Sequence, residues 1–194
     1  MSQKPYRSWG FPTVAAVLML LAVAAVVACW MLPQHPVPAP RARASRAYTT
    51  AGGRPVIATL YFTRVSDSQI RLTPVSRKLP AATSPAMAAV QELVRGRVPT
   101  GCERPLPSGT RALGVTIGGG VARANFSSEL VRRFSGGSDN EEAVVYAIVN
   151  TLASLPGVRR VRILVQGRPV ETIGGHIDIS SALRPDNELV ASQP

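Results

Sequence analysis

Residues 14–32 carry no charged side chain and are almost entirely apolar, and this run constrains the chain more than any other feature. A helix of that length spans roughly 28 Å, about the hydrocarbon thickness of a bilayer. Lys4 and Arg7 precede the run, and Trp9 and Trp30 lie near its ends, where amphipathic rings favour the membrane interface. The pattern predicts an N-terminal transmembrane helix within a membrane anchor over residues 1–32, with the amino terminus in the cytoplasm. A second reading stays open. Val26-Val27-Ala28-Cys29 has the form of a lipobox, in which Cys29 would carry lipid, although Trp30, Met31 and Leu32 continue the apolar run past it. Cleaved secretion is a third. All three place the remainder on the extracytoplasmic side of the cell membrane.

Residues 33–54 form a tether. Pro33, Pro36, Pro38 and Pro40 fall within eight residues, favouring a semi-rigid polyproline spacer. Gly52-Gly53 makes a joint before the globular part, expected over residues 55–186 with a short tail at 187–194.

The formal net charge is +11. Lys4, Arg7, Arg41, Arg43, Arg46 and Arg54 supply +6 of it with no acid among them. From residue 55 onward every basic residue but Lys78 is arginine. These arginines are dispersed and not interleaved with aromatics, which argues against nucleic-acid binding. A basic surface on an envelope protein is instead suited to anionic wall polymer or lipid headgroups. Two cysteines exclude a disulfide scaffold and a four-cysteine zinc site. Cys102 has only Cys29, in the anchor, as a mate.

Within the domain, residues 56–63 are a continuous β-favouring run and Ile70 and Leu72 alternate with polar residues, predicting a hairpin. Ser84-Pro85 opens a helix with Met87, Val90, Leu93 and Val94 on one face, and Gly96 ends it. Leu113, Val115 and Ile117 alternate, as do Ala122, Ala124 and Phe126. Gly118-Gly119-Gly120 between them predicts a second hairpin turn rather than a phosphate cradle, since no GK[ST] follows. Ser138-Asp139-Asn140-Glu141 has the spacing of a capping box, with serine as cap and glutamate three residues on. It opens a helix bearing Val145, Ile148, Leu152 and Leu155. Asn150 and Thr151, mediocre helix formers, are expected to bond neighbouring loop backbone and fix the helix against the sheet. Val161, Ile163 and Val165 alternate as a strand, residues 170–173 return, and residues 176–180 form a last extended piece, the candidate sheet edge for a partner.

The order ββα-ββα-ββ predicts an α+β domain with a mainly antiparallel sheet packed against two helices. Candidate chemistry is sparse. His176 and Asp178 would share a strand face, but no G-x-S-x-G elbow accompanies them. No zinc spacing occurs, and the acids of residues 139–142 are accounted for by capping. No catalytic, cofactor-binding or metal residue and no cofactor is assigned.

The ordered pieces Leu60-Tyr61-Phe62, Gln91-Glu92-Leu93-Val94-Arg95-Gly96, Leu106-Pro107-Ser108-Gly109-Thr110, Ile148-Val149-Asn150-Thr151-Leu152, Leu155-Pro156-Gly157-Val158 and Gly174-Gly175-His176-Ile177-Asp178 together resemble the GerMN domain of bacterial sporulation and spore germination. The resemblance runs from Leu60 to about Asp186. It implies a non-catalytic extracytoplasmic module on a membrane or lipoprotein anchor, and names no active-site residue. The expected partners are the membrane through residues 14–32, an envelope protein, and anionic wall polymer as an alternative. A cell-wall-acting enzyme is the runner-up in a different class.

Overall fold

A computed structural model describes residues 56–66, 69–80 and 84–191. The anchor and tether expected over residues 1–54 lie outside them. Among the described residues no helix is long and apolar enough to cross a membrane.

Strand β1 (Val56–Ser66) pairs antiparallel with β2 (Gln69–Leu79) along its whole length, the expected first hairpin. Helix α1 (Pro85–Arg95) follows, with Pro85 at its start, where a missing N–H costs nothing. Strands β3 (Ala112–Gly118) and β4 (Val121–Phe126) form the second hairpin. Its two-residue loop, Gly119-Gly120, has φ of 61° and 80°. Both values lie in the left-handed region that a type I′ turn demands and glycine supplies. A four-residue helix α2 (Glu129–Arg132) precedes the long helix α3 (Ser138–Ala153). Strand β5 (Arg160–Val165) and a two-residue β6 (Arg168–Pro169) complete the set.

The α+β class stands, but the sheet differs from the expectation in three ways. The first hairpin is a separate two-stranded sheet, and the other strands form a second one in the order β3-β4-β5-β6. Within it β4 and β5 run parallel, because α2 and α3 act as the crossover a parallel pair requires. Residues 170–173 and 176–180 are not strands, so the candidate edge at His176 is a looped segment. Leu113 is also displaced: the β3–β4 register slips between Ala112 and Gly114, and this bulge turns Leu113 out to 44% exposure.

One face of the four-stranded sheet is apolar. Ala122, Ala124 and Phe126 of β4 and Val161, Ile163 and Val165 of β5 are all buried, since alternate residues of a strand share a face. They join one core cluster with Leu60, Phe62, Leu93, Val145, Ile148 and Leu152. Helix α3 is central to it because Val144, Val145, Ile148, Val149 and Leu152 recur at helical spacing.

The free edge of β1 is covered rather than left open. Tyr61 N donates to Thr151 Oγ1 at 3.1 Å and Thr59 N to Ser154 Oγ at 3.2 Å. Thr63 exchanges backbone bonds with Glu103. Asn150, beside Thr151, bonds both ways with the Asp186 backbone, at 2.5 and 3.0 Å. The expectation for Asn150 and Thr151 is met, and an aggregation-prone edge is closed by helix side chains. On β2, Leu72 exchanges hydrogen bonds with Leu189 and Ala191. Pro74, opposite Tyr61, lacks an N–H and blunts the same outer edge.

The capping box is not formed. Gly137 is the cap of α3 and Ser138 its first helical residue. The Ser138 hydroxyl donates to the exposed Asp139 carboxylate at 3.1 Å. Ser138→Ala is therefore expected to change stability by no more than about 0.5 kcal/mol, instead of the ~1 kcal/mol of a lost cap. A urea titration that finds a full cap-sized loss would contradict the geometry.

Candidate functional site

The shift of the cap by one residue sends Glu141 inward. It lies one step past the capping-box position, on the same helix face as Val145 and Ile148, and is 0% exposed. Its Oε1 accepts Ile173 N and Gly174 N, both at 2.8 Å, and its Oε2 accepts His176 N at 2.7 Å. Burial pushes the carboxyl up. The N–H groups of Gly174, His176, Ile173 and Ile177 outweigh that and hold it below the ordinary glutamate value. A carboxylate so occupied acts as a clamp for a loop that has no ladder of its own. Gly174 is required beside it, since a Cβ there would lie 2.3 Å from Phe134 and 3.1 Å from Glu141 Oε2.

The remaining acids near candidate chemistry are also committed. Asp178 Oδ1 accepts Ser180 N at 2.8 Å, and the Ser180 hydroxyl and backbone hold its carboxyl below the usual range. His176 is exposed and no hydrogen bond joins it to Asp178 among the described contacts, so the dyad considered from sequence is not assembled. Glu129 lies 3.0 Å from Arg132 and 3.6 Å from Arg111. The Ser127 hydroxyl, its own backbone N–H and then these guanidinium groups lower it to about 2. Cys102 is a free, half-buried thiol to which Arg64 donates at 3.7 Å. No group of His, Cys, Asp and Glu among the described residues is arranged to hold a metal ion.

The polar face of the four-stranded sheet has a different character. Arg123 on β4 sits directly beside Arg162 on β5, and Arg160 beside Val121. At the end of the sheet, Arg159, Arg160, Arg184 and Pro185 line a cleft of about 660 Å³ with the Gly119-Gly120 turn. Arg159 and Arg160 donate their backbone N–H groups to Gly120 O, which aligns them at the rim. The ion pairs among the described residues are those of Glu129 with Arg111 and Arg132, so none of these arginines has an acidic partner among the described residues. Sequence reading saw the basic excess but not its concentration. Arg123 and Arg162 are far apart in the chain and meet because β4 and β5 pair in parallel, and Arg184 is brought to the end of β5 by the antiparallel bridge between Leu183 and Val161.

The family model for sporulation and spore germination domains, Germane, matches residues 59–171, more than half of the chain. Among solved structures, the first GerMN domain of the sporulation protein GerM from Bacillus subtilis is 25% identical. The match covers 66% of this chain and 97% of that one, with a TM-score of 0.55. The tandem GerMN domains of the same protein match at 23% identity and a TM-score of 0.54, over 68% of this chain. This chain spans 46% of that tandem pair. No curated protein matches.

Proposed function

Since the chain belongs to the sporulation and spore germination family, we propose that it is a non-catalytic, membrane-anchored protein whose extracytoplasmic domain acts in spore formation or germination by binding another component of the cell envelope. The family match over residues 59–171 carries this reading. The anchor is residues 14–32 as a single-pass helix, with lipid on Cys29 as the alternative. Support for a binding rather than a catalytic role comes from the acids. Glu141, Glu129 and Asp178 each spend their carboxylates on loop backbone or neighbouring arginines, whereas cleavage of a wall glycosidic bond would need a carboxylate pair facing an open cleft. The cleft at the end of the four-stranded sheet is lined by Arg159, Arg160 and Arg184 and by no acid.

Deleting the gene in the source organism is expected to lower the yield of heat-resistant spores or slow their germination, with restoration by the wild-type copy. Unchanged spore yield and germination would overturn the proposal. Release of soluble sugar or peptide from purified cell walls by the isolated protein would favour the enzyme instead.

A further inference from the structure

Like charges on adjacent strands repel, and strands in a sheet lie only about 4.8 Å apart. Arg123 beside Arg162, with Arg160 next along β5, is therefore an arrangement that favours an external anion. The cleft at the end of the sheet adds Arg159 and Arg184 and presents no acid to offset them.

The position of this patch says which anion. The described chain begins at Val56, which lines a small apolar pocket with Ile117 and Pro156. Ile117 leads within two residues into the Gly119-Gly120 turn, and Pro156 leads within three into Arg159. The chain thus enters the domain beside the arginine cleft. A polymer of the wall is met from any side, whereas a bilayer that holds the N-terminal anchor is met first on the side of the domain where Val56 lies.

We infer that the arginine cleft at the tether end of the four-stranded sheet docks the domain onto anionic phospholipid headgroups of its own membrane. The inference rests on the anchored reading above and adds to it a defined face turned to the bilayer. Guanidinium groups suit it because their forked donors engage phosphate oxygens in pairs. The attraction operates within a Debye length of the surface, about 8–10 Å, and is worth roughly a fivefold factor for each arginine that reaches it.

The test uses the full-length protein in nanodiscs of phosphatidylcholine alone or mixed with phosphatidylglycerol, followed by hydrogen–deuterium exchange. Peptides covering residues 118–123 and 158–163 are expected to exchange more slowly in the anionic discs. The difference should vanish at about 1 M salt, where screening shortens to ~3 Å. The triple variant Arg159→Ala, Arg160→Ala, Arg184→Ala should lose the protection while keeping its melting temperature. Lysine at the same three positions should retain most of it, which separates charge from local unfolding. Equal exchange in the two kinds of disc would overturn the inference. So would protection by soluble poly(glycerol phosphate) in neutral discs with none from phosphatidylglycerol, which would make wall polymer the occupant. Anchoring is read separately, as co-purification of the chain with the discs. A chain that fails to insert defeats the anchor, and lipid-dependent exchange is then read on protein added to the same discs from outside.

Discussion

Glu141→Gln is expected to destabilise the domain by about 3 kcal/mol, a large share of the total for a domain of this size. The substitution keeps the shape of the side chain and removes its charge. One oxygen becomes an NH₂ group, which then faces the N–H of His176 or those of Ile173 and Gly174. A donor set against donors around a side chain that is itself fully buried leaves polar groups unsatisfied, most of all at the buried Ile173 N–H. The loop over residues 170–180 should loosen first, because among the described residues β6 is only two residues long and no later strand restrains it. Urea unfolding at neutral pH measures the loss, with Glu142→Gln, whose side chain is half-buried, as a control expected within about 0.5 kcal/mol of wild type. A glutamine variant with an unchanged midpoint would refute the clamp. The same carboxylate predicts an acid limb. Its folded-state pKa lies below its ordinary value of 4.5, so its contribution is fully present above that value and is lost as pH falls through the lower, folded one. Glu129, held at about 2, extends the loss across the interval from 4.5 downward. Glu141→Gln should therefore flatten the acid limb in part and leave the portion due to Glu129.

Leu152→Ala is expected to cost about 2–5 kcal/mol and to lower the melting temperature by roughly 10 °C. Leu152 is 0% exposed and sits in the main core cluster near the end of α3. Its neighbours Asn150, Thr151 and Ser154 tie the helix to the Asp186 loop and to β1. A helix pinned by side-chain hydrogen bonds on both sides cannot slide to fill a cavity, so the cost should fall toward the upper part of that range. Leu113→Ala is the contrast. That side chain is turned out by the bulge, and its removal should shift the midpoint by no more than about 0.5 kcal/mol. Equal losses at the two positions would mean that burial does not govern them.

Much of the domain was legible along the chain because its signals are local. Alternation in residues 122–126 and 161–165, the Gly119-Gly120 turn, Pro85 at a helix start and the helical spacing of Val145, Ile148 and Leu152 each depend on residues a few positions apart. Asn150 and Thr151 were legible for a related reason: polar side chains in a helix interior need a backbone partner. Glu141 was misread because two local arrangements compete for one residue. A capping box and an inward clamp differ by a single step of helix phase, and four backbone donors supplied by residues 173–177 decide between them. Pairing was beyond the sequence for the same kind of reason. Hydrogen bonds between strands carry no record of direction in the chain, so the parallel β4–β5 pair and the separation of the first hairpin emerged only when the helices found the core. Arg123 beside Arg162 follows from that pairing, and Arg184 from the bridge of Leu183 to Val161. The sequence determined how many arginines there are and that few acids accompany them, and only the tertiary structure decided that Arg123, Arg159, Arg160, Arg162 and Arg184 stand together, because proximity between distant residues is a property of sheet register.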